Sequence, residues 1–460
     1  MEKYQVPCIY NKITNRRLQV AVPGSKSITN RALLLATLAD GTSTLRGTLF
    51  SEDSRYFLSC IKDLGFACEV DEENKIVTVT GMGGAVPKDK ASIYVGSAGT
   101  AARFLTAFLG LNGGEYHLDS SDQMKKRPMD SLIKSLEKLG AKVTFEGEEG
   151  HFPFVIEGAV GSEADIVTVD VNKSSQFLSA LLISACRTNK DMKIQVEGEH
   201  GMAYVDMTVR MMEQFGIKVR KEDDKLYCID NSATYKALDY DIEPDLSAAC
   251  YFYAMCPMLG LTVTVDGVWK DSLQGDLGFL YLLEEMGCTL TEGEKGLTLT
   301  PPSDGIYHGI TADMSTCSDQ AITMAATAVY ADSPTTITGI GHIRFQESNR
   351  LQAIVDELTR MGIKVESTDD SVTIYPGTPQ PALVQTYDDH RMAMGFSLVG
   401  LRTEGITIND PLCCRKTFEN YFEVLDEVVL HLCSEVFGLS QSGFLTLKKG
   451  TIYENSSNSI

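Results

Sequence analysis

The stretch "SLEKLGAKVTF", residues 135–145, passes from a helical pattern through an apolar-Gly pair into alternating, strand-like residues. Gly140 stands where a left-handed C′ residue ends a helix, and the alternation after it fits an antiparallel strand. The same junction recurs as "CIKDLGFACEV", "MMEQFGIKVRK", "LLEEMGCTLTE" and "ELTRMGIKVES", with glycines at Gly65, Gly216, Gly287 and Gly362. In chain order the five glycines lie 75, 76, 71 and 75 residues apart, a spacing harder to reach by chance than the motif alone and too long for common solenoid repeats. The pattern predicts copies of a small α/β module inside globular domains.

A second helix recurs between these junctions. Apolar helices begin at "SKSITNRALLLATLA", "SAGTAARFLTAFLG", "NKSSQFLSALLISA", "EPDLSAACYFYAMC", "CSDQAITMAATAVYA" and "DDHRMAMGFSLVGL", again roughly 70 to 75 residues apart. Each opens with small or polar residues and then turns strongly apolar, as a buried helix with a polar N-terminus does. In the first, Gly24, Ser25, Lys26 and Ser27 sit where unpaired N–H groups attract anions, and capping by Ser25 or Ser27 is compatible with that role. Two groups of three such helices would aim their N-termini at one interdomain cleft.

Bulk properties exclude several classes. With 460 residues, 43% hydrophobic and 22% charged, the chain can bury a sizeable core and form two or more domains. A net charge of -21 without a Lys/Arg-rich run argues against nucleic-acid binding, so an anionic ligand needs a local cationic pocket. The N-terminus lacks a signal-peptide pattern and no apolar run reaches the roughly 18 residues that span a bilayer, so a cytoplasmic protein without membrane contact is expected. Twelve cysteines without a CxxC pair or metal-ligand spacing lead us to expect reduced thiols and no metal.

Seven ordered segments, "PGSKSITNRALLLA", "SAGTAARFL", "KKRPM", "KSSQFLSALL", "QESNRLQAI", "YDDHRMAM" and "DPLCCRKTF", resemble the EPSP synthase (3-phosphoshikimate 1-carboxyvinyltransferase) family over roughly residues 5 to 430. The resemblance implies a two-domain inverted α/β barrel of the enolpyruvate transferase type, with six βαβαββ repeats, three per domain. Residues 1–22 and 245–430 would form one domain and 23–244 the other, with a mobile Ser/Asn-rich tail over 431–460. It also implies transfer of the enolpyruvyl group of phosphoenolpyruvate to the 5-hydroxyl of shikimate 3-phosphate. The partners are then those two small molecules, with no cofactor, and a monomer is expected.

The same resemblance assigns residues. Lys26, Gly99, Thr100, Arg127, Gln176, Arg350, Arg391 and Lys416 match the phosphoenolpyruvate site, where cations and backbone N–H groups meet phosphate and carboxylate. Lys26, Ser27, Arg31, Ser174, Ser175, Gln176, Tyr204, Asp319 and Gln346 match the shikimate 3-phosphate grip. Enol ether transfer needs a base for the acceptor hydroxyl and an acid for the methylene carbon, assigned here to Asp319 and Glu347, with Lys26 and His390 beside them. Taken alone, Asp319 also reads as a helix N-cap and Glu347 as an i,i+3 partner of Arg350.

Four positions depart from the usual family pattern: Ser97, Gly201, His342 and Gln346 stand where Asn, Ser, Asn and Lys are common. The expectation is that Arg344 compensates for the lysine missing at 346. The UDP-N-acetylglucosamine enolpyruvyl transferases are the alternative within the fold. They typically read Lys-Asn at Lys26-Ser27, lack the triplet Asp389-His390-Arg391, and often carry a loop Cys where this chain has Asp122. A noncatalytic binding protein is a further alternative, opposed by retention of Asp319 and Glu347.

Overall fold

In the computed structural model, which describes residues 3–434 apart from 160, 163, 189–190, 200 and 231–232, the five junction glycines all have positive φ, between +76° and +111°. Each closes its helix alike: the N–H of the following residue donates to the carbonyl five positions back, as Ala141 does to Leu136 and Ile363 to Leu358, both at 3.0 Å. These bonds satisfy carbonyls that a helix end leaves unpaired. The strand after Gly140, Lys142–Phe145, pairs antiparallel with Phe154–Gly158, and the strands after the other four glycines also enter antiparallel pairs.

The architecture is α/β, built on six open sheets, five of four strands and one of three, none of which closes into a barrel among the described residues. Every four-stranded sheet has a parallel pair at one edge followed by two antiparallel pairings, as in Lys90–Tyr94 with Gly114–Asp119, then Phe154–Gly158, then Lys142–Phe145. A parallel pair needs a crossover, and the helix Gly99–Gly110 supplies this one. That helix is buried along its whole length, which explains an apolar sequence without a polar face. Gln176–Ser184, Ala321–Ala328 and His390–Arg402 cross over in the same manner and are as deeply buried.

Near residues 20 and 240 the pattern exchanges partners. Arg17–Val20 pairs in parallel with Thr262–Val265, while Asp239–Asp241 pairs in parallel with Asp40–Arg46. The chain therefore leaves one hydrophobic core, built from Val6–Val22 and residues 246–433, and builds a second from Ile28–Ile242 together with Leu273 before returning. The two crossings are hydrogen-bonded to each other: Ser25 N donates to Glu243 O and Asp245 N to Pro23 O, both at 2.8 Å, around a bridge between Gly24 and Pro244. A Cβ on Gly24 would lie 1.9 Å from the carbonyl oxygen of Gly47, so only glycine lets the ribbon pass there.

Leu432 and Cys433 are buried in the first core, so the chain stays packed beyond the expected boundary at 430. The remainder of the expected tail, 435–460, lies outside the described residues. No helix among the described residues is long and apolar enough to cross a membrane.

Gly140 has φ +105° and no atom closer than 3.5 Å to a built Cβ, so Gly140→Ala meets backbone strain rather than a clash. Denaturant titration should show a loss of about 1–2 kcal/mol. Gly147→Ala, at a glycine without positive φ and with its nearest atom 3.9 Å away, should stay within about 0.5 kcal/mol of wild type.

Candidate active site

Buried helix starts from both cores converge on one cleft of about 760 Å³. Ser25 caps Lys26–Leu38, its Oγ accepting from Ile28 N at 3.4 Å, which puts Lys26, Ser27 and Arg31 on the first turns. Ser174 Oγ accepts from Gln176 N at 3.3 Å at the head of Gln176–Ser184, and Thr100 sits in the first turn of Gly99–Gly110. From the other core, Asp389 caps His390–Arg402 by accepting from Arg391 N at 3.0 Å, and Asp319 lies in a short 3-10 turn leading into Ala321–Ala328.

The structure brings nearly all the residues singled out in the sequence to this cleft. Lys26, Ser27, Arg31, Thr100, Ser174, Ser175, Gln176 and Tyr204 line one side, and Asp319, Gln346, Glu347, Arg350, His390 and Arg391 the other. Gly99, Arg127 and Lys416 do not line it directly but gather at its Glu347 end. Arg127 Nη1 lies 3.7 Å from Glu347 Oε1, and a Cβ on Gly99 would come within 2.7 Å of Arg127 Nη1. Lys416 Nζ donates to Gln123 Oε1 at 3.0 Å, across from the first core to the second.

Arg350 is the hub. Only 2% exposed, it donates from Nε to Asp389 Oδ2 at 2.8 Å, from Nη1 to Asp319 Oδ1 at 2.9 Å and from Nη2 to Glu347 Oε2 at 2.8 Å. Asp319 also accepts from Arg391 Nη2 at 2.6 Å and from Tyr204 Oη at 2.8 Å, which joins the two cores. Burial pushes the Asp319 carboxyl up, but Arg391 and Arg350 outweigh it and bring it from 3.8 down to about 2. For Glu347, burial acts in the same upward sense, yet Arg350, Arg127, Lys416 and Lys26 together hold it well below the usual carboxylate range. His390 is driven well below the ordinary histidine range by burial, then by Lys26 and Arg391, so its ring is neutral.

The side of the cleft that carries Arg31 is less cationic than the Glu347 end. Arg31 has no carboxylate partner among the described residues: it donates to Thr208 Oγ1 at 2.8 Å, Ser27 O at 3.0 Å and Tyr204 O at 3.1 Å, and burial lowers it to about 10. Arg344 does not compensate for the lysine missing at 346, because it is tied to Gly341 O at 3.0 Å and Asp369 Oδ1 at 2.9 Å and stays out of the cleft lining. His342 does line the cleft, with Nε2 2.8 Å from Ser318 Oγ. Gly201 has φ +67°, and a Cβ there would lie 2.6 Å from Ser175 Oγ, so a serine would need this left-handed backbone and a shift of the Ser175 side chain.

Sequence reasoning missed several supporting groups. Asp53 is buried 3.4 Å from Lys26 Nζ, and Asp245 accepts from Lys26 N at 3.0 Å. Arg103 is fully buried on the carbonyls of Gly99 and Pro128, at 3.2 and 3.3 Å, and burial lowers its pKa strongly, followed by the effect of Arg127. A lone charge inside the apolar run "TAARFLTAFLG" was the signal for it.

The model of the EPSP synthase (3-phosphoshikimate 1-carboxyvinyltransferase) family matches residues 11–425. The chain belongs to the EPSP synthase family. It is 45% identical over 404 residues to the 3-phosphoshikimate 1-carboxyvinyltransferase of Trichormus variabilis, covering 88% of this chain and 94% of that protein. It is also 41% identical over 414 residues to that of a Sulfurovum species, covering 89% and 96%. An EPSP synthase structure from Acinetobacter baumannii superposes with a TM-score of 0.75 at 25% identity, covering 93% of this chain and 98% of that one.

Because Asp319 falls from about 3.9 unfolded to about 2 folded, its contribution to stability is fully present above about pH 5 and is lost as pH falls towards 2. The stability difference between wild type and Asp319→Asn should therefore shrink as pH drops from 5 to 2. A difference independent of pH in denaturant titrations would contradict the ion pairs drawn here.

Proposed function

We propose that the chain transfers the enolpyruvyl group of phosphoenolpyruvate to the 5-hydroxyl of shikimate 3-phosphate, releasing phosphate. The observation that carries this reading is the position of two ionised carboxylates, Asp319 and Glu347, on one buried Arg350 in a cleft walled by both cores. The cores are read as two domains divided near 22/23 and 244/245, each with three βαβαββ units, and the cleft as the space between them.

The net chemistry forms a C–O bond between the acceptor oxygen and the substituted carbon of phosphoenolpyruvate. The hydroxyl loses a proton, the methylene carbon gains one transiently, and phosphate leaves as the methylene is restored. Asp319, ionised at neutral pH, accepts the hydroxyl proton. Glu347 carries the proton for the carbon. In the free site its cations keep it ionised, but bound phosphate and carboxylate take up Lys26, Arg127, Arg350, Arg391 and Lys416. The charge that depresses Glu347 is thereby offset, its affinity for a proton rises, and it becomes a competent acid. Gly99, Thr100 and Gln176 give the anion close access to the backbone, as helix starts do. Ser27, Arg31, Ser174, Ser175, Gln176, Tyr204 and Gln346 hold the acceptor, and the neutral His390 orients or relays at Glu347.

Following phosphate release with phosphoenolpyruvate and either shikimate 3-phosphate or UDP-N-acetylglucosamine tests the function, and turnover with the first alone is expected. Asp319→Asn and Glu347→Gln should each lower kcat by about 10²-fold or more with KM near wild type. Wild-type turnover in either variant removes that role. Gly99→Ala places a Cβ 2.7 Å from Arg127 and 2.8 Å from Arg103, which narrows the anion site. Glyphosate should inhibit the wild type competitively against phosphoenolpyruvate, and Gly99→Ala should weaken glyphosate far more than the smaller substrate. Superimposed inhibition curves would place Gly99 away from that site.

A further inference from the structure

Against Lys26, His390 and Arg391, which also line the main cleft, lies a second, small cavity of about 20 Å³, room for about one water, whose other lining includes Tyr251, Thr417 and Phe418. Its walls hold an unusual set of orphaned polar atoms. Tyr251 Oη, Thr417 Oγ1 and both ring nitrogens of His390 are buried and have no hydrogen-bond partner among the described residues. The carboxylate of Asp389 has its Oδ1 3.8 Å from His390 Nδ1, beyond hydrogen-bond reach. A neutral imidazole carries one donor and one acceptor, and leaving both unmade in a protein interior is costly. A water needs two to four polar partners to occupy a buried site. The two hydroxyls, the ring, Ser247 and Asp276 supply them around one space.

We infer that this second cavity is a built water site: ordered water held by the hydroxyls of Tyr251 and Thr417 makes the hydrogen bonds of His390 and fixes its tautomer. Tyr251 and Thr417 are thus positioning residues for the ring that faces the main cleft on its other side. The inference rests on the reading of His390 given above, because only an oriented ring can present a chosen nitrogen towards Glu347. Neither Tyr251 nor Thr417 lines the main cleft, so in this proposal they act through water and the ring. Water here is the ligand, and no bond other than hydrogen bonds is made.

Tyr251→Phe and Thr417→Val are near-isosteric and remove one hydroxyl each. In a hydrated chamber each loses a real hydrogen bond, so Tm should fall by about 1–3 °C. With the ring less firmly held, kcat should fall about 5- to 20-fold while both KM values stay within twofold. High-resolution crystallography of the full chain should show water within hydrogen-bond distance of Tyr251 Oη and His390. In a dry chamber the hydroxyls are unsatisfied, and removing them would raise Tm and leave kcat intact, which overturns the proposal. A lower Tm with unchanged kcat in both variants overturns the link to His390. If the wild type instead fails to turn over shikimate 3-phosphate, the proposed function falls, while the Tm and crystallographic results still decide whether the chamber is wet.

Discussion

A buried guanidinium has to be compensated, and the organisation of the site follows from how Arg350 achieves this. Three carboxylates surround it: Asp389 at the cap of another helix, Asp319 in a 3-10 turn and Glu347 in the bend three residues before it. Such a cluster contributes little net stability, since desolvation offsets most of the attraction, but removing one member would strand charge at a cost of about 3–5 kcal/mol. Its value is geometric. Asp319 and Glu347 are fixed relative to each other by a shared rigid fork, which sets the two carboxylates proposed to move protons in place before any substrate arrives.

The cluster also lies where the two cores meet. Tyr204 reaches from the second core to Asp319, Arg127 to Glu347, and Gln123 to Lys416. Each contact is polar and crosses between the cores at the cleft, while others, such as Arg210 to Asp271 O and Arg415 to Glu52, join them outside it. The covalent link between the cores is a single hydrogen-bonded ribbon at Gly24 and Pro244, which lets them share a cleft without sharing a core. Backbone strain concentrates beside the same groups. Tyr387 and Asp388, both at positive φ, precede His390 and Arg391, and Asp410, also at positive φ, leads into the turn that carries Lys416.

Much of this was legible in the chain because it is written locally. The apolar-Gly junctions announced their helix ends, since a positive φ and a Schellman cap demand glycine whatever the surroundings. The polar starts of apolar helices announced the cleft, since a buried helix N-terminus has few other uses for Lys26 or Arg391. What escaped were partners distant in sequence whose residue types are ordinary. Asp53 reads as a first-turn helix charge, Asp245 as a cap and Tyr251 as one more core aromatic, and only packing shows what they face. Arg344 misled for the same reason: proximity in sequence to Gln346 carried no information about direction, and its side chain turns to Asp369 instead. The ionisation of Glu347 was equally out of reach, because it depends on four cations from separate segments.

In the proposed reaction, substrate anions take cations away from Glu347 and so let it hold a proton. Calorimetric titration of phosphoenolpyruvate into the protein preloaded with shikimate 3-phosphate, near pH 8 in buffers of different ionisation enthalpy, measures this directly. At that pH the phosphate groups are already ionised, so proton uptake reports on the protein. Net uptake approaching one proton is expected in the wild type, and its loss in Glu347→Gln. Binding without uptake, or uptake that persists in Glu347→Gln, would contradict it.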